Sequence, residues 1–137
     1  MNWTAWVRGP GLAPVWQDFT TPKLNESIAM ANEYIKLAGA SSPADNKDYL
    51  TWYSSLKVVF LNQLFGRVND TSISVIELID ADLNITYTLD PECKAVWFPL
   101  GIMKNYSAVL EPAHTFISSM GRMKYLTPIY TALLNTN

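Results

Sequence analysis

The stretch Thr21-Pro22-Lys23-Leu24-Asn25-Glu26-Ser27-Ile28-Ala29-Met30-Ala31-Asn32-Glu33-Tyr34-Ile35-Lys36-Leu37-Ala38-Gly39 carries the signals of one complete helix. Thr21 can cap its start, with Pro22 at the first helical position, where proline is favoured. Leu24, Ile28, Ala31, Ile35 and Ala38 recur at spacings of four and three, which puts them on one face. Gly39 can close the helix as a left-handed cap. The same order of Ser, Thr or Asp, then Pro, then a short helix, recurs at Ser42-Pro43, Asp90-Pro91 and Thr127-Pro128. Short helices joined by short loops make an all-α array of antiparallel pairs, stabilised by neighbour-to-neighbour burial as in helical solenoids.

Outward from this helix the chain divides in two. Residues 1–20 read as an extended strap, because the prolines in Gly9-Pro10-Gly11-Leu12-Ala13-Pro14-Val15 push their predecessors out of the helical region. Residues 21–137 read as the helical array. Residues 43–53 fit either a loop or a short helical turn capped by Ser42. Ser54 or Ser55 can cap a helix with Leu56, Val59, Phe60, Leu64 and Phe65 as its stripe and Gly66 at its end. Thr71–Asp82 is rich in β-branched residues, as strands are, but its spacing fits a helix slightly better. Asp90-Pro91 opens a helix that Pro99 and Gly101 are expected to kink or shorten. A helix over about 105–120 is interrupted by Pro112 and ended by Gly121. Thr127 is expected to cap the last one.

Composition narrows the function. Hydrophobic residues make up 49% and charged residues 16%, the latter below the usual share of about 25%. Five Trp and seven Tyr fit either a generous core or an apolar surface turned toward another domain. A formal net charge of −2 without a basic stripe points away from nucleic acid. No apolar run approaches a membrane span of about 20 residues, and Met1–Arg8 lacks the pattern of a signal peptide. The lone cysteine, Cys93, excludes an internal disulfide framework and fits a reducing, cytoplasmic compartment. Five N-x-S/T triplets start at Asn2, Asn25, Asn69, Asn84 and Asn105; in a cytoplasmic chain they are coincidence.

No catalytic or metal-binding constellation emerges. His114 is the one histidine, and no H-E-x-x-H is present, so one His and one Cys cannot assemble a zinc site. Cys93 falls in the first turn of a helix, where a thiolate is mildly favoured, but His114 is its only possible base and no orienting group is identifiable, which speaks against a Cys–His nucleophile. The carboxylates Glu26, Glu33, Glu77, Asp80, Glu92 and Glu111 fit caps and solvated faces. Gly121-Arg122-Met123-Lys124 is left, in an expected turn between helices. Arg122 and Lys124 are two apart, so an extended turn aims both to one side, where they could clamp a carboxylate. A basic residue offsetting a helix C-terminus is the plainer account from chemistry alone.

Gly121-Arg122-Met123-Lys124-Tyr125 followed by Pro128-Ile129-Tyr130 resembles the closing motif of the leukotriene-A(4) hydrolase and aminopeptidase B branch of the zinc aminopeptidases. Trp3-Thr4-Ala5-Trp6 with Pro10-Gly11-Leu12-Ala13-Pro14-Val15 is similar to the segment where that family's C-terminal domain begins. Asp82-Leu83-Asn84 and Ala95-Val96-Trp97 fall where the family has an N-F-N-like turn and a Trp-bearing helix, so the resemblance runs through most of the chain; Pro99 and Pro112 depart from it. It implies an α-α superhelix, a right-handed array of antiparallel helix pairs related to HEAT and armadillo repeats. It implies a non-catalytic domain that packs on its parent chain's catalytic domain, closes the substrate cleft and binds the peptide carboxylate through Arg122 and Lys124. Zinc then belongs to that catalytic domain, and this chain by itself is expected to be inactive and metal-free. The other reading of the same residues is a free-standing helical-repeat module that binds a protein.

Overall fold

A computed structural model describes residues 3–11, 18 and 20–136. Among them are eight α-helices and no strand. They are α1 (Trp3–Arg8), α2 (Pro22–Leu37), α3 (Asp48–Thr51), α4 (Ser54–Gly66), α5 (Ile73–Leu83), α6 (Pro91–Met103), α7 (Leu110–Ser119) and α8 (Met123–Asn135). The expected all-α superhelix is what forms.

Four of these helices make one layer. Ser54 at the start of α4 donates to Asp90 at the start of α6, while Phe65 and Pro99 lie together farther along the pair. Glu92 meets Lys124 at the starts of α6 and α8, and Met103 and Asn135 line one groove near their ends. Asn32 of α2 accepts from Gln63 and Arg67, at the far end of α4. So α2, α4, α6 and α8 run parallel, and their N-termini gather on one edge. The shorter α3, α5 and α7 connect them. α7 runs back along α6, as its last residue Ser119 and the following Met120 line a groove with Pro91 and Lys94.

The interior is continuous. Tyr34, Phe60, Leu64, Ile76, Ile79 and Trp97 are wholly buried, each such side chain stabilising by about 1.5–3 kcal/mol. Tyr34, Tyr49 and Trp52 surround Phe60 edge-on. Phe98, Phe116 and Tyr125 stack at centroid distances of 5.8 and 5.9 Å. Polar pairing holds the connection into α6. Asp80 accepts from the Thr86 backbone N–H (2.8 Å), the Thr86 hydroxyl (2.7 Å) and Tyr106 (2.8 Å). Trp97 Nε1 donates to the same Thr86 hydroxyl oxygen at 2.9 Å.

The caps at Thr21 and Asp90 form as read, accepting from Leu24 N–H at 3.2 Å and Glu92 N–H at 2.9 Å. Thr71–Asp82 is helical from Ile73 onward, with Ser72 as the cap. Elsewhere the structure corrects the reading. Trp3–Arg8 is an exposed helix rather than extended strap; these six residues contain no proline, and Pro10 acts only beyond its end. Leu12–Pro14 and Val15 lie outside the described residues. Pro43 opens no helix: Asn46, Asp48 and Tyr49 make successive three-residue turns back to Pro43, Asp45 and Asn46, leading into α3. Pro99 and Gly101 do not shorten α6, which runs on to Met103. The Pro99 ring is buried against Phe65 and Pro128, which offsets the lost backbone bond, and Gly101 lets the Val109 methyls approach. The helix expected from Asn105 starts at Leu110, because Asn105 itself is left-handed; Pro112 then falls in its first turn, where proline is tolerated. α8 starts at Met123, ahead of Thr127.

The N-x-S/T triplets have partly internal reasons. The Ser27 and Thr71 hydroxyls donate to the backbone carbonyls of Leu24 and Arg67, and Thr86 is the hub just described. All three are buried.

Candidate functional site

Arg122 and Lys124 do not lie in an extended turn. The Arg122 carbonyl already accepts from the N–H groups of Tyr125 (2.9 Å) and Leu126 (3.2 Å). Arg122 is therefore the N-cap residue of α8, in extended backbone (φ −88°, ψ 114°), and Lys124 sits in the first turn. Two consequences follow. Both cations stand at the positive end of a helix, where the macrodipole favours an anion rather than offsetting a base. And both are brought to one place by Tyr125.

Tyr125 is the platform. Its ring is buried against Phe116. The Arg122 guanidinium lies 5.4 Å and the Lys124 ammonium 5.6 Å from its centroid, within cation–π range. Arg122 Nη1 makes a long contact of 3.4 Å to the Tyr125 hydroxyl oxygen. That hydroxyl donates to Glu92 Oε1 at 2.8 Å. Lys124 Nζ donates to both Glu92 oxygens, at 2.7 and 2.6 Å.

Glu92 reaches this cluster because Asp90-Pro91 fixes where α6 starts, leaving Glu92 in the first turn. Hydrogen bonds from Lys124 and Tyr125 hold its carboxyl below the usual glutamate range. The pair is open to solvent, with side-chain exposures of 53% for Lys124 and 37% for Glu92. Arg122 is exposed and has no carboxylate in ion-pair contact among the described residues.

The surroundings are apolar. On one side of Lys124 a groove of about 540 Å³ is lined by Phe65, Pro99, Met103, Met123 and Pro128. A second groove, of about 620 Å³, holds Leu89, Lys94, Glu111, Phe116 and Met120. Leu89 is 93% exposed, Tyr53 83% and Met123 66%. Each stands at or just before the start of a layer helix, so the edge with the cations is also an edge of uncovered apolar side chains.

The other candidates separate from this site. Cys93 is buried, with Sγ 3.5 Å from Asp90. Burial, with Asp90 beside it, pushes its thiol up to about 12, so the thiolate that a helix start would mildly favour does not form. His114 is exposed on α7. Among the described residues no three His, Cys, Asp or Glu side chains stand close enough to hold a metal. No helix among them is long and apolar enough to cross a membrane. Sequence reasoning set Glu92 aside among caps and solvated faces and gave Tyr125 no role. Glu92 lies 32 residues from Lys124, and nothing local to it signals the partner.

Comparison with known proteins gives the family of the chain. Leucine aminopeptidase 2 of Ajellomyces capsulatus is 28% identical over 132 residues, which cover 96% of this chain and 21% of that protein. Leucine aminopeptidase 2 of Neosartorya fischeri is 25% identical, covering 97% and 21%. The leukotriene A-4 hydrolase homolog of Botryotinia fuckeliana is 24% identical, covering 98% and 20%. The chain thus spans about a fifth of the length of the curated relatives it matches. No solved structure matches it. The family model described as "Leukotriene A4 hydrolase, C-terminal" matches residues 52–137, from the buried Trp52 through α8. This chain belongs to the leukotriene A4 hydrolase C-terminal family.

Proposed function

We propose that residues 1–137 form one non-catalytic domain of a cytoplasmic zinc aminopeptidase, which closes the substrate cleft and binds the free carboxylate of the peptide through Arg122 and Lys124. Membership of the family and the aminopeptidase relatives support the parent activity. The single observation that carries the site is the shared edge. Both cations stand at the N-terminus of α8, on the side where Tyr53, Leu89 and Met123 are left uncovered. Apolar side chains on that edge are suited to a partner domain, and cations beside them then face the space between the two. Zinc in the partner domain would supply an activated water. This chain's contribution is to hold the carboxylate end of a peptide at a fixed distance, which sets the bond presented for hydrolysis.

The test uses the full enzyme. Replacing a charge-assisted contact in Arg122→Ala should raise KM and lower kcat/KM for tripeptides by roughly ten- to a hundredfold. An amino-acid arylamide, which has no carboxylate, should be nearly unaffected. Equal losses on both substrates would sink the role.

A further inference from the structure

We infer that Glu92 is a positioning and specificity residue of this site, which neutralises Lys124 and leaves Arg122 to receive a single monoanionic carboxylate. The inference rests on the carboxylate-binding reading above and divides the two cations that it treats alike. Lys124 Nζ is committed to both Glu92 oxygens, at 2.7 and 2.6 Å. The Tyr125 hydroxyl is committed to Glu92 as well, at 2.8 Å, so its oxygen presents a lone pair toward Arg122, 3.4 Å away. Arg122 is thereby laid over the Tyr125 ring with most of its five donors unused. A planar guanidinium with free parallel N–H groups matches a carboxylate in two-point fashion, which an ammonium cannot.

The charge arithmetic gives the specificity. Arg122, Lys124 and Glu92 sum to one positive charge. A peptide ending in a neutral residue brings one negative charge and balances it. A peptide ending in Asp or Glu brings a second carboxylate toward Glu92 and is repelled. Removing the Glu92 charge frees Lys124 for that second carboxylate, so the preference should weaken or reverse. A merely structural ion pair has no reason to alter the ranking of the two ligands.

The experiment titrates three probes into the isotope-labelled chain while Arg122 and Tyr125 signals are followed by NMR. The probes are acetyl-Ala-Ala-Ala, its C-terminal amide and acetyl-Ala-Ala-Asp. In the unaltered protein the first should bind, the amide should not, and the aspartate peptide should bind less tightly than the first by about two- to fivefold, the scale of a solvent-exposed charge pair. In Glu92→Gln the aspartate peptide should gain relative to the alanine peptide by a similar factor. An unchanged ratio, with Arg122→Ala still abolishing binding, overturns the role of Glu92 and leaves the carboxylate site standing. Binding that survives Arg122→Ala, or absence of binding in the unaltered protein, overturns both.

Discussion

Glu92 and Lys124 stand 32 residues apart in the chain and 2.6 Å apart in the fold. Their meeting needs both helix starts to be set correctly, so it reports the packing of α6 on α8 as well as the site. The Glu92 carboxyl is held below its ordinary value of 4.5 by the hydrogen bonds from Lys124 and Tyr125. The folded state therefore binds this proton more weakly than the unfolded chain. The contribution is fully present above the unfolded value and is lost as pH falls through the lower, folded one. Asp90 behaves in the same sense: burial raises its value, but hydrogen bonds from Ser54, the Glu92 N–H and Cys93 outweigh that and lower it. Chemical shifts of Lys124 Nζ and the Tyr125 ring should stay constant from neutral pH down to about the ordinary glutamate value, then move together below it. Movement of either alone, or a midpoint at or above the ordinary value, would contradict the pairing.

The Asp80–Thr86 pair should be worth more than any surface ion pair here. Thr86 is 1% exposed, and its N–H and hydroxyl both end on Asp80. Trp97, wholly buried, depends on Thr86 for its one acceptor. Asp80→Ala leaves the Thr86 N–H and hydroxyl without their acceptor, and Thr86→Val orphans Trp97. Each should cost about 2–4 kcal/mol in urea unfolding, as stranding buried donors does. Because they break one network, the double variant should cost clearly less than the sum. Additive losses would show that the two act separately.

Gly39 should tolerate no side chain. Its φ is +83°, and a Cβ there would stand 2.7 Å from Ser74 Cβ and 2.9 Å from the Ser74 carbonyl carbon. The neighbouring Ala38, also left-handed at φ 51°, is exposed and carries its Cβ without burial. Gly39→Ala should destabilise by about 1–3 kcal/mol through strain and displacement of α5, whereas Ala38→Gly should be neutral or slightly stabilising. A neutral Gly39→Ala in thermal unfolding would mean that α5 does not pack as described.

Helix starts were legible where one local group does the capping. Thr21 and Asp90 each satisfy an N–H within three residues, and that chemistry is written in adjacent letters. Prolines misled wherever tertiary burial outweighed their local preference. Pro99 and Pro128 sit inside α6 and α8, facing each other in the seam with Phe65, and a preference for the first helical turn could not foresee that. The same error displaced the start of α8, and with it the setting of Arg122 and Lys124. The cations themselves were singled out through the motif. Glu92 and Tyr125 were not, because their roles exist only once α6 and α8 lie side by side.

Cys93 should be chemically silent while the protein is folded. It sits in the first turn of α6, where a helix start would favour a thiolate, but it is wholly buried and has Asp90 for a neighbour. Burial and that negative charge raise its thiol to about 12, so near neutral pH almost no thiolate exists to react. Alkylation by iodoacetamide at about pH 8 should therefore be slower than that of a free cysteine by at least about a hundredfold, and should rise to the free rate once urea unfolds the domain. Because the folded value lies above the unfolded one, the stabilisation of the protonated thiol is fully present below the ordinary thiol range and is lost as pH climbs toward the folded value. Asp90→Asn offers the sharper check: it removes a charge beside the sulfur without opening the core, and the thiol should titrate lower than in the unaltered protein. Rapid labelling of the folded chain would place Cys93 at the surface and break the packing of α6 described here.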